Sequence, residues 1–70
     1  MNNLKTIRET AGLTQLELAR KINVTKASVS NYETGFRNPK LKIAQQIAIA
    51  MSDKGVIYSV DDIFPYKKAS

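Results

Sequence analysis

The sequence predicts an all-α domain built from five short helices, and three observations carry that reading. Apolar residues recur three and four positions apart through most of the 70-residue chain. Cap-forming residues stand just ahead of those runs: Thr14 with Glu17 three positions later, Thr25, and Ser59. Only "VIYSV", residues 56–60, is rich in β-branched and aromatic residues, and it reads either as a short strand or as an extended segment.

Each element follows from its residues. In "NNLKTIRETAG" Leu4, Ile7 and Ala11 share one face of a first helix, which Gly12 ends. Thr14 opens a second helix with the T-x-x-E capping box. There Leu18, Ala19 and Ile22 form the inward stripe, while Glu17, Arg20 and Lys21 point outward. Asn23 tolerates a left-handed turn conformation. Val24 is a short apolar plug, and Thr25 caps a third helix reaching about Thr34, closed by Gly35. Pro39 suits the first turn of a fourth helix, which runs to about Ser52 with Leu41, Ala44, Ile47, Ala48 and Met51 at helical spacing. Ser59 caps a last turn, "VDDIF", and Pro65 stops it. We divide the chain into one domain, 1–66, and a flexible basic tail, 67–70.

The third helix carries the functional signal. At about 100° per residue, Lys26, Ala27, Ser30, Asn31 and Thr34 fall within one arc of roughly 140°. Val29, Tyr32 and Glu33 lie opposite, with Ser28 at the border. One side is thus core. The other is short, flat and polar, without the long solvating charges usual on an exposed helix. A helix that lies in the major groove of DNA needs such a low profile, with donors and acceptors near its N-terminus. Two capped helices separated by "NVT", with the small Ala19 on the first allowing close approach, make a helix-turn-helix.

The segment "LKTIRETAGLTQLELARKINVTKASVSNYETGFRNP", with "SVDDIF" near the end, resembles the phage repressor and Cro (Xre-like) family of helix-turn-helix regulators. The resemblance covers about residues 3–64, and its core is GLTQxELA followed by VSxYExG. It implies a compact lambda-repressor-like fold. It also implies that Gln15 holds a DNA phosphate, and that Lys26, Ala27, Ser30 and Asn31 read base edges or adjacent phosphates. Arg8 and Glu33 match a family ion pair joining the first helix to the third, and the "FRNP" loop matches a second grip on the backbone. Arg37, Asn38 and Lys40 are therefore expected phosphate contacts. The chain departs from the family at Asn23, where glycine is usual, and in an extra stretch near "DKGVIY". Without the second domain of full-length repressors, it reads as a small stand-alone regulator.

Composition bounds the remaining classes. The net charge is +5, and residues 1–42 hold all of it, with eight Lys/Arg against three acids. A basic N-terminal part suggests a polyanion partner. With neither cysteine nor histidine, the chain has no disulfide framework, no thiolate or imidazole zinc site and no His-based acid–base catalysis. We expect no cofactor, no metal and no enzymatic activity. With no signal-peptide pattern and no membrane-length apolar run, the expected location is cytoplasmic, without a membrane partner.

The leading expectation is a sequence-specific binder of double-stranded DNA, a phage- or mobile-element-type repressor acting as a homodimer on a two-fold operator. Ile49, which sits among Lys42, Gln45 and Gln46, would join Ile57, Tyr58 and Phe64 in the dimer contact. Touching RNA polymerase is the activating variant of the same scheme. The alternative class is an antitoxin-type module whose main partner is a protein held by the C-terminal segment.

Overall fold

The computed structural model describes residues 2–52 and 55–65. The tail at 67–70 and part of the "SDKG" connection lie outside the described residues. Five helices follow one another: α1 Leu4–Thr10, α2 Gln15–Ile22, α3 Lys26–Thr34, α4 Leu41–Met51 and α5 Val60–Ile63. They enclose one core, in which Leu4, Leu18, Val29, Ile47 and Ile63 are fully buried. Burying an aliphatic side chain of this kind is worth about 1.5–3 kcal/mol.

Local chemistry sets the helix ends. The Thr14 hydroxyl accepts the Glu17 N–H at 3.1 Å while the Glu17 carboxylate accepts the Thr14 N–H at 2.9 Å, a complete capping box. Ser59 and Asp62 build the same box on α5, and the Thr25 hydroxyl accepts the Ser28 N–H at 3.0 Å on α3. Asn23, at φ 58°, takes the left-handed conformation that reverses the chain after α2, and Gly35, at φ 81°, does so after α3. Asn enters that region more readily than other residues bearing a Cβ.

The Glu17 carboxyl is held below its ordinary value, 4.5, first by the Thr14 backbone N–H and then by the Thr14 side chain. Because the folded-state value is the lower one, the resulting stabilisation is fully present above the ordinary value. It is lost as pH falls through the folded value. Thr14→Ala should lower stability at neutral pH by about 1 kcal/mol and leave most of this acid dependence in place, because the Thr14 backbone N–H that mainly causes it survives the substitution. Urea titrations at neutral and acid pH would check it; unchanged midpoints would show that the box does not matter.

Tertiary packing corrects several expectations. Arg8, not Ala11, fills the third inward position of α1: Arg8 is buried and Ala11 is exposed. Pro39 lies outside α4, ahead of the cap residue Lys40, whose extended backbone (ψ 157°) sets the helix start at Leu41. Leu41 itself is 67% exposed, because the first turn of α4 projects past the core that Ala44, Ile47, Ala48 and Met51 enter. Of the two readings left open for 56–60 the extended segment holds: no continuous strand forms, and Val60 already belongs to α5. Ser52 fastens this stretch instead: its hydroxyl donates to the Ala48 carbonyl at 2.8 Å and accepts the Tyr58 N–H at 2.9 Å.

The chain start is stitched to the end of α5. The Asn3 N–H donates to the Ile63 carbonyl, and the Asn3 side-chain amide donates to the Asp62 carbonyl, both at 2.9 Å. No helix among the described residues is long and apolar enough to cross a membrane.

Candidate nucleic-acid interface

The candidate interface centres on α3, which packs chiefly against α2. After the left-handed turn at Asn23, the Val24 N–H donates to the Ala19 carbonyl at 3.0 Å, and half-buried Val24 packs on the core. Thr25 then starts α3 at a defined angle to α2. Val29 and Glu33 turn inward and are buried, with Tyr32 half-buried beside the core. That leaves Lys26, Ala27 and Thr34 exposed and Ser30 and Asn31 half-exposed. Among the described residues, the side chains of Lys26, Ser30 and Asn31 bond to no other part of the chain. Ser28 instead accepts the Thr25 hydroxyl at 2.9 Å, within the cap.

The loop after α3 is folded back onto it. The Arg37 N–H and the Thr34 hydroxyl both donate to the Asn31 carbonyl, at 3.2 Å, and the Phe36 N–H donates to the Thr34 hydroxyl at 3.3 Å. Arg37, Asn38 and Lys40 stand exposed beyond this tie, next to a bare Phe36 that is 76% exposed. Nothing in the pattern of the sequence singled out Phe36.

The electrostatics are one-sided. From Leu18 to Ser52 the chain has six cations, Arg20, Lys21, Lys26, Arg37, Lys40 and Lys42, all exposed, and a single acid, Glu33. Glu33 is buried and paired: Arg8 Nε donates to its carboxylate at 2.5 Å. The Arg8 guanidinium also donates to the Leu13 carbonyl at 2.7 Å. Every exposed charge between Leu18 and Ser52 is therefore positive, and the one carboxylate of that stretch is neutralised inside.

Gln15, the first residue of α2, is half-buried, and its amide nitrogen donates to Glu33 at 2.9 Å. Sequence reasoning missed this contact, since the two residues lie 18 positions apart and nothing in their local patterns pairs them. Of the residues expected at a dimer contact, Ile49 and Ile57 are 73% and 84% exposed. Tyr58 and Phe64 are half-buried against the chain's own core.

Comparison with known proteins fits this geometry. A family model described as helix-turn-helix matches residues 4–52. The chain is 38% identical over 55 residues, 73% of its length, to antitoxin HipB of Escherichia coli O6:H1 and to antitoxin HipB of strain K12. It covers 58% and 62% of those two proteins, so it spans about three fifths of their length. It is 36% identical over 66 residues to an uncharacterized HTH-type transcriptional regulator of Methanocaldococcus jannaschii, covering 94% of this chain and 92% of that protein. Two capped helices joined through a left-handed Asn23, a positive surface around the second of them, and a match across the same residues all point one way: the chain belongs to the Xre/Cro-like helix-turn-helix family.

Proposed function

We propose that the chain is a transcriptional regulator that binds double-stranded DNA in a sequence-specific way and represses by occupying a two-fold operator. The observation that carries this is the exposed side of α3, small, polar and unpartnered, on a surface with six exposed cations and no exposed acid between Leu18 and Ser52. Lys26, Ala27, Ser30 and Asn31 read the major groove. Gln15, Arg37, Asn38 and Lys40 hold phosphates and set the register.

Two copies joined near Ile49 and Ile57 place two such helices one DNA turn apart, ~34 Å. An operator that overlaps a promoter is then closed to RNA polymerase by steric exclusion. The similarity to proteins named antitoxin supports a second reading, in which the same surface binds DNA while a protein partner occupies another. Exposed Ile49 borders a groove lined by Leu13, Lys21, Ile22, Gln46 and Ala50, which supplies a place for one.

The test is selection of bound sequences from a random duplex library, followed by titration of the winner at two salt concentrations. A two-fold motif should emerge. With two cations per copy, Arg37 and Lys40, on phosphates, two copies give about four charged contacts, and affinity should fall roughly a hundredfold between 50 and 200 mM salt. Weak binding without sequence preference would defeat the proposal and leave only diffuse charge attraction.

A further inference from the structure

From the network around Glu33 we infer that this buried carboxylate is a positioning residue for DNA binding, aiming the Gln15 amide at its phosphate without touching the nucleic acid. The inference rests on the reading of Gln15 as a phosphate contact. A carboxylate accepts hydrogen bonds and has none to donate, so the contact at 2.9 Å must be made by the Gln15 amide nitrogen. That fixes which way the amide is turned. Its nitrogen carries two hydrogens; one is committed to Glu33, and the direction of the other follows from it. A free glutamine at a helix start would sample several rotamers and both amide orientations, and ordering them on binding would cost affinity.

Glu33 is itself held. Arg8 donates to one of its oxygens at 2.5 Å, and the same guanidinium donates to the Leu13 carbonyl at 2.7 Å, just ahead of the Thr14 cap. The start of α2 is thereby clamped to α3 through side chains that are 9% and 4% exposed. The distance from the phosphate-holding amide to the base-reading residues is set by this clamp. Arg8 has a second effect, since it neutralises a carboxylate that would otherwise repel the phosphate Gln15 must approach.

The experiment uses the full chain and duplexes carrying the selected site, each with one phosphate replaced by a neutral methylphosphonate. Glu33→Asp keeps the charge for Arg8 but shortens the reach by about 1.5 Å, one carbon–carbon bond. Wild type should be sensitive at one phosphate per half-site that Gln15→Ala no longer senses. Glu33→Asp should lose sensitivity at that same phosphate, with a drop in affinity of about fivefold and unchanged ranking of operator variants. Full sensitivity retained in Glu33→Asp, or an equal loss at every phosphate, would overturn the positioning role.

If Gln15→Ala changes no phosphate, the reading of Gln15 fails and the inference fails with it, a distinguishable result. Should Glu33→Asp not fold, the wild-type chain still answers by NMR. One hydrogen of the Gln15 side-chain amide should be protected from solvent exchange both with and without DNA, and two freely exchanging hydrogens would overturn the inference.

Discussion

Arg8→Met should destabilise the fold by about 3–5 kcal/mol, the range for stranding one partner of a buried ion pair. Methionine replaces the aliphatic stem of arginine but none of its donors. The Glu33 carboxylate, in a residue 6% exposed, would be left with only the Gln15 amide for company. The Leu13 carbonyl would lose the bond that anchors the loop before α2. Domains of ordinary stability have only about 5–15 kcal/mol to lose, so the melting temperature should fall by roughly 15 °C or more.

Circular dichroism on heating measures this directly. An unchanged melting curve would mean that the pair contributes nothing. The double variant Arg8→Met/Glu33→Leu should recover much of the loss, because no charge is then buried unpaired. It should not recover full DNA affinity if Glu33 positions Gln15.

The second large effect is on recognition. Asn31→Ala should weaken the selected operator by about 1–3 kcal/mol, roughly ten- to a hundredfold, and leave random duplexes nearly untouched. The expectation follows from placement. Asn31 is half-exposed on the outer side of α3, and among the described residues its side chain bonds to no other part of the chain. Its amide is free to pair with the N6 and N7 positions of adenine. Its backbone carbonyl, which accepts from Arg37 and Thr34, survives the substitution.

Alanine also favours the helix, so stability should hold or rise while binding falls. That separates this variant from Arg8→Met. Competition between operator and random duplex in one titration gives the discriminating ratio. Equal losses on both would demote Asn31 to a phosphate contact.

What the sequence made legible was whatever depends on residues within about one helical turn of each other. The capping boxes at Thr14 and Ser59, the left-handed Asn23, the closing Gly35 and the division of α3 into core and polar sides are of this kind. Their causes are local: a hydroxyl three residues from an orphan N–H, or side chains 100° apart on a wheel. These features predict the five-helix arrangement because caps and periodicity together leave little choice of element type.

The tertiary structure decided what depends on residues far apart in the chain. Gln15 and Glu33 meet across 18 positions, and no local pattern pairs them; the Arg8–Glu33 pair, across 25, is implied by the family resemblance alone. Only packing determines that Glu33 lies inside with both neighbours within hydrogen-bond distance. Leu41 has the spacing of a core residue, yet the core ends before it; Tyr58 and Phe64 face inward because Ser52 and the turn at Ser59 hold their backbone there. Periodicity says which residues share a side of an element. Which side has something to pack against is settled when the elements meet.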